Sequence, residues 1–331
     1  MAKRPNRPHA AAARQRLVVA TTLALGVAVG SAFTVLLIDG EAAPPAPDPA
    51  RQVTEMPAAE PLPGPPPAPE TATVAVPQAT PTIVDPAVPA WRRHAVQVAA
   101  RDDRPMVALV IDDMGLDRQR SAQVIALPGP LTLSYLTYAD DLPAQTAAGR
   151  AAGHELMLHV PMAPRDIGFD PGPNVLEPGL ADAELARRLD WGLGRFAGYV
   201  GINNHMGSRF TADRAAMARV MAALDARGLL FLDSRTTGDS VGLSAAAAQG
   251  VPAVARDVFL DHERTPDAVA AALVELEDTA RRRGYAIAIG HPADVTIEAL
   301  TAWLPDARRR GLMIVPLSAV VDRVTRAGGA G

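Results

Sequence analysis

The sequence predicts an α/β fold: a distorted barrel of about seven parallel strands, preceded by a membrane span and a spacer. Three observations predict it. From Pro105 onward, short apolar runs alternate with amphipathic stretches of helical period, the pattern of repeated βαβ units with a parallel sheet. Before that point lies a long Pro- and Ala-rich segment, and before that an uncharged run flanked by basic residues. An open doubly wound sheet is the alternative, but no G-x-G-x-x-G or P-loop follows any strand, so a nucleotide-binding fold has no support.

The elements follow in chain order. Residues 1–16 carry Lys3, Arg4, Arg7, Arg14 and Arg16 and no acid. Residues 17–38 are free of charge, and as a helix would span roughly 33 Å at 1.5 Å per residue, enough for a hydrocarbon core of ~30 Å. The basic flank keeps 1–16 in the cytoplasm, making the protein a single-pass inner-membrane protein with its folded part in the periplasm. A cleaved signal peptide is the alternative, and it exports the same domain. Residues 39–104 read as a disordered spacer. The run "PAAEPLPGPPPAPE" has almost no large apolar side chains with which to form a core.

The folded part is expected over 105–327. Strands are predicted at 106–111, 131–136, 155–160, 199–204, 229–233, 257–261, 286–290 and 312–317, and helices at 182–198 and 211–228 among others. The chain is 48% apolar, so a sizeable core is available. A net charge of −4 argues against nucleic acid as a partner. With no cysteine, any metal must be held by His, Asp or Glu.

Polar residues collect at strand ends. The first strand ends in Asp112-Asp113, the third in His159 and the fourth in Asn203-Asn204-His205. The fifth ends in Asp233-Ser234-Arg235, the sixth in Asp261-His262 and the seventh in His291. In parallel α/β architectures those ends open onto one face, which holds the active site. Adjacent carboxylates raise each other's pKa, and a bound divalent cation removes that penalty. A site of His and Asp suits Zn²⁺ among other borderline metals. His154 begins its strand, at the end opposite the site. His262 is either a secondary ligand or rim group, or a solvated helix start. His9 and His94 fall in the tail and the spacer.

The runs "VIDDMG", "GHELMLHVPMAP", "GINNHMGSRFT", "FLDSRT" and "AIAIGHP", in this order, resemble the divergent polysaccharide deacetylases, a branch of the NodB-type carbohydrate esterases, over about 105–325. The resemblance implies a distorted (β/α) barrel and makes Asp112 the general base, Asp113 a metal ligand and His291 the general acid. The family pattern G-H-E-x-x-x-H-x-x-x-H supplies His159 as a ligand, but Ala163 stands at its last position. His205 is the natural replacement, giving a metal set of Asp113, His159 and His205. Asp233 and Arg235 fall near motifs that orient these groups. Asn203, Asn204, Ser208 and Arg209 are candidates for sugar hydroxyls or an oxyanion, or for loop capping, and the glycines of "GINNHMGS" are expected to let backbone approach the ligand. The implied reaction is metal-dependent hydrolysis of an N- or O-acetyl group on a polysaccharide or peptidoglycan, with no nucleotide involved. A binding or scaffold protein that has lost turnover is the competing reading. It is motivated by Ala163, and aromatic content is only 4%, little for an extended sugar-stacking groove.

The predicted topology has a direct check. A reporter fused after Gly331 is expected to be active in the periplasm, with the protein retained in membranes after a salt wash. A soluble, shortened mature form would identify residues 17–38 as a cleaved signal.

Overall fold

The computed structural model describes residues 88–98 and 103–328, all within one unit of the chain, Gln78–Gly331. The basic tail, the span expected at 17–38 and most of the expected spacer lie outside the described residues. Among the described residues, no helix is long and apolar enough to cross a membrane.

After a helical turn α1 (Ala90–Arg93), strands and helices alternate. The first half is β1 (Met106–Met114), α2 (Arg118–Ile125), β2 (Thr132–Leu136), α3 (Leu142–Ala151), β3 (Glu155–Met162), α4 (Asp182–Leu193), β4 (Gly201–Met206) and α5 (Arg214–Asp225). The second half is β5 (Leu230–Asp233), α6 (Gly242–Gln249), β6 (Ala253–Ala255), β7 (Val258–Phe259), α7 (Pro266–Arg283), β8 (Tyr285–Gly290), α8 (Asp294–Arg309), β9 (Met313–Val315) and α9 (Leu317–Gly328). Local chemistry sets the helix starts. Asp117, Asp213 and Thr265 each accept a backbone N–H from the first turn of α2, α5 and α7.

All strand pairs are parallel. The order is β6-β5-β4-β3-β2-β1-β8-β7, with β9 also on β1. This is a parallel half-barrel. Its two edges are consecutive in sequence, because only Arg256 and Asp257 separate β6 from β7. The Arg256 N–H bonds to the Asp233 carbonyl on one side, and the Asp257 N–H to the Ile287 carbonyl on the other. One extended segment therefore brings the two edges together without a ladder between β6 and β7. The expected strand at 257–261 is shorter than read, and its neighbour β6 has no counterpart among the expected strands. Three residues of Ala-Val-Ala carry too little pattern to mark it.

Period-two alternation sorts the side chains. Val107, Leu109 and Ile111 pack against the helices. Ala108 and Val110 point inward with Met157, Leu230, Leu232, Ile287 and Ile289. On the inward parity Val110 is followed by Asp112, Met157 by His159 and Ile289 by His291, so the interior core is the floor beneath the site. At the other end, buried Glu155 accepts from Thr132 Oγ1 at 3.1 Å, from the Ser318 N–H at 3.0 Å and from Ser318 Oγ. His154 accepts from the Leu131 N–H at 3.1 Å and meets the Ile125 carbonyl at 2.9 Å, a structural role at the end opposite the site.

The end of the expected spacer departs from expectation. Residues 88–98 are part of the domain: the Trp91 N–H bonds to the Gly228 carbonyl, and its ring is buried with Met106, Val315, Ala319 and Val320. One large aromatic side chain among Pro and Ala offers enough apolar area to dock. Trp91→Ala is therefore expected to destabilise the domain by about 3–5 kcal/mol, read as a lower urea midpoint. A loss below about 1 kcal/mol, the range of ordinary surface changes, would remove this segment from the fold.

Candidate metal centre

The doubled carboxylate ends β1 at an irregularity. The β1–β2 register shifts between Ile111 and Met114, and Asp113 adopts the left-handed region with φ 54°. In a regular strand adjacent side chains face opposite sides. Here the kink turns Asp113 toward the same cavity as Asp112, the re-aiming that bulges provide. Gly115 follows at φ 107°, and a Cβ there would lie 2.7 Å from Ala139 Cβ. That tight turn carries the chain away from the site.

Asp113 Oδ1 stands 3.0 Å from His205 Nδ1 and 3.3 Å from His159 Nε2, and the two imidazole nitrogens are 3.3 Å apart. These three are the one group of such ligands that clusters in this way among the described residues. Oδ1 is buried and no hydrogen bond meets it. Three ligand atoms around a metal with bonds of about 2.0–2.1 Å in tetrahedral array sit about 3.3 Å from one another, so the residues present fit a divalent cation with one position open. His205 reaches the place through register. Pro161 pairs with His205 and His159 with Asn203, so His205 lies one inward step further along the neighbouring strand. Ala163, at the position of the absent histidine, is buried, and its carbonyl accepts the N–H groups of Arg209 and Phe210.

Asn203 arranges the donors. Its Nδ2 lies 2.8 and 2.9 Å from the two oxygens of Asp112 and 3.0 Å from Ser234 Oγ. Because a carboxylate only accepts, this fixes which end of the amide is nitrogen. Oδ1 then receives Ser134 Oγ at 2.5 Å and His159 Nδ1 at 3.0 Å. His159 Nδ1 carries the proton, leaving Nε2 bare as a ligand. His291 is held in the same manner by Asp261. Its Nδ1 is 2.9 Å from Asp261 Oδ1, while Oδ2 accepts the His291 N–H and Thr296 Oγ1, each at 2.7 Å. His291 Nε2 faces the site, 3.8 Å from Asp113 Oδ2.

Electrostatics separates the two carboxylates. Burial raises the pKa of Asp112, outweighing the His159 and His291 charges and the Asn203 hydrogen bond. Burial acts the same way on Asp113, but His159 and His205 overcome it and hold Asp113 well below the usual range. His159 is lowered by burial and raised further by Asp112 and Asp113, so its net shift is upward. His291 also lies above its usual value, because Asp261 outweighs burial.

A cavity of about 440 Å³ opens over these groups, also lined by Met206, Arg235, Arg256, Phe259 and His262, a size typical of small-molecule sites. Three of its lining residues, Asp113, Met206 and Arg235, have positive φ without being glycine, and such strain gathers at functional sites.

Other expected site residues are placed differently. Asn204 accepts the Ser234 N–H at 3.0 Å and donates to the Met206 carbonyl at 2.7 Å, so it braces two strand ends. Ser208 accepts the Arg165 N–H at 2.9 Å on an exposed loop, and Arg209 points to Glu177 at 3.7 Å. Neither lines the cavity. Asp233 accepts Ser240 Oγ at 2.6 Å and the Arg235 N–H at 2.8 Å, and so shapes its own loop without touching the histidines. His262 is exposed at the mouth, its ring 5.5 Å from Phe259 and outside the metal cluster. The glycines of "GINNHMGS" serve packing: a Cβ on Gly201 would meet the Leu230 carbonyl oxygen at 2.1 Å, and one on Gly207 Met162 Cβ at 2.9 Å. Sequence reading missed Arg256 and the pairing of Asp261 with His291. The Asp-His dipeptide at 261–262 drew attention to the wrong partner.

Residues 109–321 match the family described as divergent polysaccharide deacetylase. Two uncharacterised proteins, YibQ of Escherichia coli K12 and one of Haemophilus influenzae, are each 35% identical to this chain, over 195 and 199 residues. Those stretches are 59% and 60% of this chain and 60% and 70% of those proteins, so the chain spans under two thirds of the length of the first. The crystal structure of an uncharacterised protein from Agrobacterium tumefaciens C58 superposes with a TM-score of 0.69 at 32% identity, covering 70% of this chain and 95% of that one.

The geometry predicts proton-linked metal uptake. His159, raised above its ordinary value, must lose any proton from Nε2 to become a ligand. Affinity should thus fall as pH drops through the raised pKa, by about tenfold per unit for each proton released. Calorimetry in buffers of different ionisation heat measures that release. His159→Ala or His205→Ala should weaken Zn²⁺ by more than about 10²-fold, because even outer partners of a metal ligand contribute 10–100-fold. Unchanged affinity in His205→Ala would exclude it as a ligand.

Proposed function

The chain belongs to the divergent polysaccharide deacetylase family, and from that premise we propose that it is a metal-dependent hydrolase that removes acetyl groups from an envelope or exported polysaccharide. The observation that carries this reading is the division of labour at the end of β1. Asp113 is held ionised among two imidazoles, while Asp112, one residue away, is held by an amide with its pKa raised.

Asp113, His159 and His205 would hold the cation. When bound, it would polarise the acetyl carbonyl and make a water acidic enough to attack it. Asp112 accepts the proton of that water. Burial raises its basicity above that of an exposed carboxylate, which brings it nearer the optimum for a general base. Asn203 keeps both its oxygens in register without contributing a proton of its own to the reaction. His291, with Nδ1–H pinned to Asp261, presents Nε2 to the cavity and donates a proton to the leaving amine or alkoxide. Its raised pKa keeps it charged, and therefore an acid, further into neutral pH. Location is part of the same proposal: the uncharged run at 17–38 and its basic flank support an inner-membrane anchor with the domain in the periplasm.

The test is acetate release from a panel of acetylated glycans by the Zn²⁺-loaded chain. Asp112→Asn and His291→Ala should retain metal and lose about 10²–10⁴-fold in turnover. If the parent binds metal yet releases no acetate from any glycan, the reading as a binding or scaffold protein replaces this one. Asp261→Asn should act through His291. With the carboxylate gone the His291 pKa falls, so the limb on which activity is lost with rising pH should move to lower pH. A limb that stays in place would assign the proton to another group.

A further inference from the structure

Two arginines line the cavity beside Asp112, Asp113 and His291, and the mechanism above uses neither. Arg256 sits where the two sheet edges meet. Its Nε donates to the Ser234 carbonyl at 2.9 Å and its Nη2 to the Arg235 carbonyl at 3.3 Å, while the guanidinium lies 4.7 Å over the Phe259 ring. Those contacts fix the fork in place. Arg235 follows the end of β5 with φ 51°, a backbone conformation rarely adopted by long side chains. Burial lowers the pKa of Arg256; the charge of Asp112 opposes that lowering, the charge of Arg235 adds to it, and Asp233 opposes it again.

Neither arginine has a carboxylate within ion-pair distance among the described residues, and no acceptor there takes Arg256 Nη1. Elsewhere the part-buried Arg150 and Arg195 donate from their guanidinia to two backbone carbonyls each and stand outside the cavity. Two like charges lining one cleft, one of them partly desolvated, repel each other, and an anion between them relieves that repulsion. Asp112 offsets part of that repulsion through space, but Asn203 and the imidazoles hold both aspartates, and neither forms an ion pair with Arg235 or Arg256. Guanidinium forks match the planar oxygen pairs of carboxylates and phosphates.

We propose that Arg235 and Arg256 form an anion subsite, so that the sugar accepted here carries a carboxylate or phosphate next to its acyl-bearing part. The identity of the ligand as an acyl sugar rests on the deacetylase reading; the anion subsite itself does not require turnover.

The experiment is equilibrium binding to the purified full-length chain, by calorimetry, of three probes sharing one acetamido sugar. They are N-acetylglucosamine, N-acetylmuramic acid with its lactyl carboxylate, and N-acetylglucosamine 6-phosphate. At least one anionic probe should bind about tenfold to a hundredfold tighter than the neutral sugar, the range of a charge-assisted pair. Which of the two does so identifies the anion as carboxylate or phosphate. The preference should appear both with Zn²⁺ and after chelation, and it should fall toward unity in Arg235→Gln and in Arg256→Gln. Arg256→Lys, which keeps charge without the fork, should retain only part of it. If Arg256→Gln unfolds, as thermal unfolding would show, the exposed Arg235→Gln decides the matter alone. Equal binding of all three probes to the parent overturns the subsite. So does a preference that survives Arg235→Gln, or one that exists only with Zn²⁺, which would place the anion on the metal. Acetate release is not read here, so failure of the deacetylase reading and failure of the subsite are separate results.

Discussion

One buried amide holds the cavity end of the sheet together. Asn203 bonds to Asp112 from β1, Ser134 from β2, His159 from β3 and Ser234 after β5. Five neighbouring strands thus meet at a single side chain with no access to water. Each of these side chains has a hydrogen-bond partner within the group, and the shared amide ties them to one another. A half-satisfied network at this depth would cost about 1–3 kcal/mol for each group left unpaired. The same bonds decide the chemistry. A carboxylate on one side of the amide requires its nitrogen there, which places its oxygen against His159 Nδ1–H and bares Nε2.

From this constraint the two aspartates acquire different characters. Both are largely withdrawn from water, and burial raises both. Asp112 is the more deeply buried of the two, and burial outweighs the His159 and His291 charges and the Asn203 bond, so it keeps the raised value. Asp113, turned by its positive φ toward two imidazoles, loses it. The pair therefore combines a carboxylate held well below its usual pKa with one held above it, although the side chains are identical and adjacent.

The sheet's incomplete closure completes the site. Because β6 and β7 are one extended segment touching both edges, Arg256 is delivered to the cavity wall between them. A fully laddered strand there would commit the backbone of residues 256 and 257 to a single neighbour. Splitting it lets each residue bond to a different edge, and Phe259 then stacks under the guanidinium and beside His291.

Much of this was legible in the sequence. The parallel α/β architecture follows from apolar runs of strand length alternating with helical periods, a pattern set by the backbone's repeat and indifferent to long-range partners, whereas the opening of the expected barrel into a half-barrel was decided by the pairing of β6 with β5 and of β7 with β8. The position of Asp112, Asp113, His159, His205 and His291 at strand ends was equally plain, since the carboxyl ends of parallel strands share one face. Tertiary structure alone decided what each residue touches. Strand parity put Asn203 inward as the organiser of the site, where sequence had offered it as a sugar contact or loop cap. Loop direction turned Ser208 and Arg209 outward. The bulge in β1 brought adjacent carboxylates into one cavity against the rule of alternation. Asp261, and not its neighbour His262, met His291, and Arg256 entered the wall only because two sheet edges converge on it. Periodicity is a local property of the chain and can be read along it. Side-chain pairing depends on register, strand curvature and single φ angles, and those are fixed only when the strands have found one another.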